Sequence, residues 1–272
     1  MHRSNRNRAF QKRVYDFYHK QGRYTLPWRK THNPYRILVS EVMLQQTQVD
    51  RVVPKYQEFL KKFPTVRTLA YAPLSDVLHV WSGLGYNRRA RTLHEAAKMV
   101  VAKHSGRFPK DVSELESLPG IGPYTACAVM AFACNQPVVM IETNIRSVFI
   151  YEFFKGKKDV LDTQVYELIE ATLDTKNPRE WYAALMDYGA YLKKSFPNPS
   201  RNSKHHTKQV AFVGSIRQVR GAILPLLFDG AKTVGNIKKE TGCSHERIEK
   251  ALKGLEADRL IVQEKTRWKL AT

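Results

Sequence analysis

One stretch limits the fold more than any other: "SLPGIGPYTACAVMAF", Ser117 to Phe132. Gly120 and Gly122 stand two apart, Pro123 follows, and an apolar run at helical spacing comes next. Proline suits the first helical turn, where its missing N–H removes no intrahelical bond. The run therefore reads as a helix with bare backbone at its mouth. The first amides of a helix lack partners within it and point forward. Two glycines let that backbone come close to whatever stands in front, and an anion is what such a mouth favours. Two readings of "LPGIG" stand side by side: a hairpin between two helices that grips a phosphate, or an ordinary connection in which glycine caps one helix. A carboxylate, Glu142, arrives about twenty residues later, where the helical run has ended.

Periodicity is helical almost everywhere from residue 9 to 195. "PYRILVSEVMLQQTQVDRVVPKYQEFLKKF" opens on Pro34 and is expected to restart at Pro54. "PLSDVLHVWSGLG" ends on glycines that suit a C-cap. "NRRARTLHEAAKMVVAKH" puts Leu93, Ala96, Ala97, Val100 and Val101 at helical spacing, and "VSELESL", "TQVYELIEATLD" and "PREWYAALMDYGAYLKK" complete the set. No stretch here alternates as a half-buried strand does, so this part is all-α. Composition shifts at "SFPNPSRNSKHHTKQ", Ser195 to Gln209, where Pro, Asn and Ser crowd with basic residues as in a linker. Beyond it, "SIRQVRGAILPLLF", "TVGNIKKETG" and "SHERIEKALKGLEADRL" read as helices, and "LIVQE", "KT" and "RWKLA" as a hairpin with its turn. Three helices and a hairpin are the winged-helix arrangement, a helix-turn-helix variant. The expected fold is mainly α: a helical domain over 1–200, a basic linker over 201–212 and a winged-helix-like domain over 213–272.

The formal charge of this 272-residue chain is +20, an excess that opposes compaction and suits a polyanionic partner. Residues 1–30 carry nine Lys and Arg against one acid, and residues 193–272 carry seventeen against seven. Charge spread in this way suits a nucleic-acid backbone better than a lipid surface, where a tight cluster beside an apolar anchor is expected. No run has the length of a membrane span and the N-terminus has no apolar signal segment, so the protein is expected to be soluble and intracellular. Cys127, Cys134 and Cys243 suggest neither a disulfide framework nor a metal site. Glu41 lies within an apolar helix, and Leu44, Gln45 and Gln48 share its face by helical spacing. A carboxyl group there is either a paired structural residue or one whose pKa burial raises until it can act as an acid.

Three segments in one register remove that ambiguity: "LPWRKTHNPYRILVSEVMLQQTQV" (Leu26 to Val49), "LPGIG" with its helix, and "VVMIETNIRSV" (Val138 to Val148). Together with "GLGYNRRARTLHEAA" (Gly83 to Ala97) they resemble the MutY-type adenine glycosylases of the helix-hairpin-helix superfamily over roughly residues 10–192. "SEVMLQQTQV" is specific to the adenine branch; "LPGIG" is shared by the superfamily. The resemblance implies a two-lobed helical fold around a cleft that receives a base extruded from duplex DNA. It makes Glu41 the acid that protonates departing adenine. Glu142 falls where the family has an Asp that stabilises the positive sugar; here the motif is "IETN", with Asn144 beside it, and the side chain is longer by about 1.5 Å. Tyr124 stands where lyase-competent members carry a Lys, so no Schiff base and no strand cleavage are expected. Gln46 matches the wedge that fills the base stack, with Gln45 beside it, and Tyr86 the aromatic that intercalates beside 8-oxoguanine, with Arg88 in the same segment. Leu26, Trp28, Arg29 and Asp187 match the lining of the adenine pocket. Gly120 and Gly122 would hold the DNA phosphate.

Two family features are missing. Most relatives place four iron–sulfur cysteines after the segment matching "DYGA"; here Lys193 stands where the first would fall, and three scattered cysteines supply no such set. No cluster and no other metal are expected, although such hairpins often hold a monovalent cation on their backbone. Lys193, Lys194, Arg201, Lys204, His205 and His206 are instead candidates for phosphate contact. The usual MutT-like C-terminal domain is replaced by the winged-helix-like tail, expected to act mainly through phosphates. The implied protein is a monomeric, monofunctional DNA glycosylase of base-excision repair. Its partner is duplex DNA with mismatched or oxidised bases, and it removes adenine opposite 8-oxoguanine or guanine. The alternatives are a thymine or uracil mismatch glycosylase of the same fold, and a DNA-binding protein without catalysis.

Overall fold

A computed structural model describes residues 2–207 and 211–271. Residues 208–210 of the expected linker, with Met1 and Thr272, lie outside the described residues. In chain order the α-helices are α1 (His2–Gln21), α2 (Pro34–Leu44), α3 (Val49–Lys62), α4 (Val66–Tyr71), α5 (Leu74–Trp81), α6 (Arg88–His104), α7 (Val112–Glu116), α8 (Pro123–Cys134), α9 (Thr143–Phe153), α10 (Asp162–Thr172), α11 (Pro178–Ser195), α12 (Ile216–Leu226), α13 (Val234–Thr241) and α14 (His245–Ala257). Three short strands, β1 (Lys232–Thr233), β2 (Ile261–Glu264) and β3 (Arg267–Leu270), complete a mainly α fold with two 3₁₀ turns.

The chain divides into two compact units. The first comprises Met1–Glu41, Pro109–Ser117 and Ile121–Lys208; the second comprises Val42–Phe108, Leu118–Gly120 and Gln209–Thr272. The core of the first unit is aromatic. Phe10 of α1 meets the rings of Phe149, Phe153 and Trp181 at 5.2, 4.9 and 5.7 Å. Truncating a buried ring of this kind costs about 3–5 kcal/mol. Helix α8 is apolar on most sides, and its residues from Ala128 to Phe132 are all buried, as a central helix requires. Helices α9 and α11 pack backbone to backbone at Gly189: a Cβ there would stand 2.7 Å from the carbonyl carbon of Asn144.

In the second unit Phe59 of α3 meets Trp81 of α5 edge-on at 6.0 Å, and Leu93, Ala96, Ala97 and Val100 of α6 are buried in the same unit. The winged-helix part closes on Ile223, Ile237, Ile248, Leu252 and Leu255. Its sheet has the order β1-β3-β2, with Lys232 opposite Trp268 and Ile261 opposite Leu270. The two-residue strand β1 is too short to alternate visibly in sequence; it exists because β3 offers it an edge. Helices α4 and α9 also escape the periodicity argument. The expected restart at Pro54 is corrected: α2 ends at Leu44 and α3 begins at Val49, with Pro54 inside it. Gln45 and Gln48 therefore do not extend the helical face of Glu41.

Candidate active site

In the first unit, α2 carries Glu41 into an apolar environment where it is 7% exposed. Tyr124, in the first turn of α8, donates its hydroxyl hydrogen bond to Glu41 Oε2 at 2.8 Å. Burial pushes the Glu41 carboxyl up to about 7, and the charge of Glu142 adds to the rise; the Tyr124 bond and the Arg29 charge oppose it. A carboxyl group poised there holds a proton at neutral pH and can release it. Burial, with Glu41 and Glu142 nearby, raises the Tyr124 phenol well above its ordinary value, so it remains a donor.

Glu142 is the N-cap of α9. Its Oε1 accepts from the amides of Asn144 (2.5 Å) and Ile145 (2.8 Å), and its Oε2 accepts from Asn144 Nδ2 at 3.2 Å. The extra methylene therefore folds back, and the carboxylate does what shorter Asp and Asn caps usually do. The carboxylate "about twenty residues later" is thus where α9 must be capped. Burial raises its pKa, while those amides and the charges of Lys193 and Arg146 hold the rise back. Lys193 lies one helical turn beyond Gly189 on α11, half-buried, with its own pKa lowered by burial. Its charge favours the ionised form of Glu142. Gly189 was not singled out in sequence, although a glycine amid bulky helical residues signals close backbone approach.

Leu26 is buried at the N-cap of the 3₁₀ turn Pro27–Lys30, and Trp28 is buried within that turn. Asp187 is 3% exposed, and both of its carboxylate oxygens accept hydrogen bonds. It takes the Arg23 amide (2.7 Å), the Arg23 guanidinium (2.6 and 2.8 Å) and Arg29 Nη2 (3.1 Å). Asp187 thus anchors Arg29 and Arg23. Arg29 Nη1 is buried and lacks a hydrogen-bond partner among the described residues.

In the second unit the organiser is Arg89, which sequence reading passed over. It sits four residues before Leu93 on the buried face of α6, and that spacing was the available signal. Its Nη1 donates to the carbonyls of Val42 (2.9 Å), Met43 (3.0 Å) and Gln45, and its Nη2 to Thr47 Oγ1 (3.1 Å) and the Gly85 carbonyl (2.9 Å). The last carbonyls of α2 are satisfied by a guanidinium, which is why the helix stops before Gln45. Burial lowers this arginine's pKa to about 10. The two loops it ties together each hold a non-glycine residue in the left-handed region, Gln46 (φ 54) and Tyr86 (φ 48). Strain of this kind survives only where surroundings over-determine it, and it clusters at functional sites. Arg88 is exposed, with its Nε 4.0 Å from Asp258.

Gly120 is left-handed (φ 74), and a Cβ on it would stand 2.6 Å from Cβ of Thr92. Gly122, the N-cap of α8, faces open space and no side chain caps the helix. Among the described residues no cluster of His, Cys, Asp or Glu could hold a metal ion. Cys127 and Cys134 share α8, and Cys243 belongs to the other unit, a set that does not fit a four-thiolate cluster.

Residues 39–187 match the family described as HhH-GPD superfamily base excision DNA repair protein. The adenine DNA glycosylase of Buchnera aphidicola subsp. Baizongia pistaciae is 39% identical over 185 residues, 68% of this chain and 53% of that protein. The chain thus spans about half the length of that relative. The adenine DNA glycosylase of Mycolicibacterium smegmatis is 35% identical over 237 residues, 80% of each chain. That of Mycobacterium tuberculosis is 32% identical over 264 residues, 88% of this chain and 86% of its own. Among solved structures, a thermostable thymine-DNA glycosylase superposes with a TM-score of 0.61 at 28% identity, over 68% of this chain and 87% of that one. An endonuclease III–DNA complex superposes with a TM-score of 0.54 at 21% identity, over 82% and 94%, a likeness of fold alone.

Proposed function

Because the chain belongs to the HhH-GPD superfamily of base excision DNA repair proteins, we propose that it hydrolyses the N-glycosidic bond of adenine mispaired with 8-oxoguanine or guanine in duplex DNA. The observation that carries this reading is the buried Glu41 carboxyl, poised at about 7 and held by Tyr124, with the capped Glu142 raising it further. The target nucleotide leaves the stack. Glu41 gives its proton to the purine as the C1′–N bond breaks, so the bond's electron pair departs on a neutral base. Glu142 offsets the positive charge left on the sugar, and Asn144 and the α9 amides keep that carboxylate aimed. Water adds to C1′, and the proton it loses returns to the carboxylate pair.

Tyr124 offers no amine for a Schiff base, so the strand stays intact and the enzyme is monofunctional. Gln46 and Tyr86 act on the duplex, as wedge and as the ring beside the opposite base. The bare start of α8 takes a backbone phosphate, and the +20 charge strengthens the grip. The hairpin of residues 118–122 supplies only neutral backbone oxygens; a monovalent cation is the ion they fit, and no iron–sulfur cluster is required. The protein works on DNA as a monomer, and no helix among the described residues is long and apolar enough to cross a membrane.

A second reading, a thymine mismatch glycosylase, is favoured by the 28% identity to the thermostable thymine-DNA glycosylase. Against it stand the adenine glycosylases at 32–39% and the segment "MLQQTQV". Base release from duplexes holding A:8-oxoguanine, A:G, T:G and U:G decides. Release from the first two supports the proposal; release from T:G or U:G alone gives the second reading. No release from any duplex makes the chain a DNA-binding protein.

A further inference from the structure

We infer that the winged-helix part of this chain helps determine specificity, because Arg217 of α12 positions Tyr86. The inference rests on the reading of Tyr86 as the residue that meets the base opposite adenine. Arg217 Nη1 donates to the Tyr86 hydroxyl, and its guanidinium carbon lies 5.5 Å from the ring centroid. Arg89 stands 5.4 Å from the same centroid and takes the carbonyls of Gly85 and Tyr86. The ring and its left-handed backbone are thus held by two guanidiniums, one from α6 and one from α12. A cation over an aromatic face is attracted by the ring quadrupole, and the hydroxyl bond fixes the ring's direction.

The position of α12 is itself set by contacts with the same segment. Asp258, at the end of α14, accepts from Arg220 of α12 and faces Arg88, two residues after Tyr86. Phe228, just beyond α12, meets His79 of α5 edge-on at 4.8 Å. A domain that touched DNA only through phosphates would have no need to grip the loop that carries Tyr86. Held in this way, the ring is already oriented before the duplex arrives, and less ordering has to occur on binding.

The test is Arg217→Ala and Arg217→Lys in the full chain, scored by single-turnover release of adenine opposite 8-oxoguanine and opposite guanine. The ratio of the two rates should fall by roughly three- to thirtyfold in Arg217→Ala, the range expected for one cation–aromatic contact. Arg217→Lys, which keeps the charge, should restore part of it. In a Tyr86→Ala background, Arg217→Ala should change the ratio no further. A merely structural arginine would lower both rates together, and that result overturns the inference; so does an unchanged or increased ratio in folded Arg217→Ala protein. If the unsubstituted protein releases no adenine, the adenine reading fails on its own. The inference is then judged by the ratio of Kd values for duplexes holding 8-oxoguanine or guanine opposite adenine. A drop in that ratio for Arg217→Ala supports it, and an unchanged ratio overturns it.

Discussion

Glu41→Gln separates the cost of the acid from its use. Gln keeps an oxygen for the Tyr124 hydroxyl but cannot ionise. The native carboxyl, raised from 4.5 to about 7, binds its proton more tightly in the folded state than in the unfolded chain. The stabilisation from that proton is complete below 4.5 and is lost as pH rises through about 7. At about 1.4 kcal/mol per pH unit, the full loss is about 3 kcal/mol. Linkage places about 2 kcal/mol of it between about pH 5.5 and about pH 8.5. Glu41→Gln is spared this loss, so above about pH 8 it should be the more stable protein. At roughly 2–4 °C per kcal/mol for a chain of this size, its melting point should lie about 6–12 °C higher. Base release should fall by about 10²–10⁴-fold in the variant, and in the parent it should decline above about pH 7. Melting curves at several pH values, with single-turnover rates on an A:8-oxoguanine duplex, measure both. Parallel stability–pH curves for the two proteins, or a variant rate within about threefold of the parent, would refute the assignment.

Glu142→Asp should keep the cap of α9 and melt with the parent, whereas Glu142→Ala should lose about 1 kcal/mol of stability and about 10²–10³-fold in base release; equal melting of all three proteins would contradict the cap. Gly189→Ala drives a methyl group into the Asn144 backbone and should cost about 1–3 kcal/mol, with a matching fall in rate as Glu142 shifts; an unchanged melting point would show that α11 can retreat freely. Borohydride reduction during turnover should trap no covalent protein–DNA adduct, since Tyr124 offers no amine; a trapped adduct would point to another nucleophile. Protein purified without oxygen should carry no stoichiometric iron, because three cysteines on two units cannot supply four ligands; stoichiometric iron in that protein would overturn this.

Local chemistry was enough to mark most of the helices, though not α4 or α9, and also the glycine turn before α8, the change of pattern after Ser195 and the β2–β3 hairpin. Pro34 and Pro123, Gly120 and Gly122, and the spacing of apolar residues act on the backbone within one or two turns. The motifs around Glu41, Tyr124 and Glu142 were legible for the same reason, because each is a short string of side chains. What those side chains touch was decided elsewhere. Glu41 reaches its neutral-range pKa only when packing removes water from it and brings Glu142 near, against the opposing pull of the Tyr124 bond. The backbone of Asn144, beside the Glu142 cap, meets α11 only because Gly189 has no side chain in the way. The end of α2, invisible to periodicity, is set by Arg89 more than forty residues away, and Tyr86 owes its second clamp to Arg217, 131 residues on. A hydrogen bond or an ion pair between distant segments leaves no period in the sequence, because its partners become neighbours only after the helices pack.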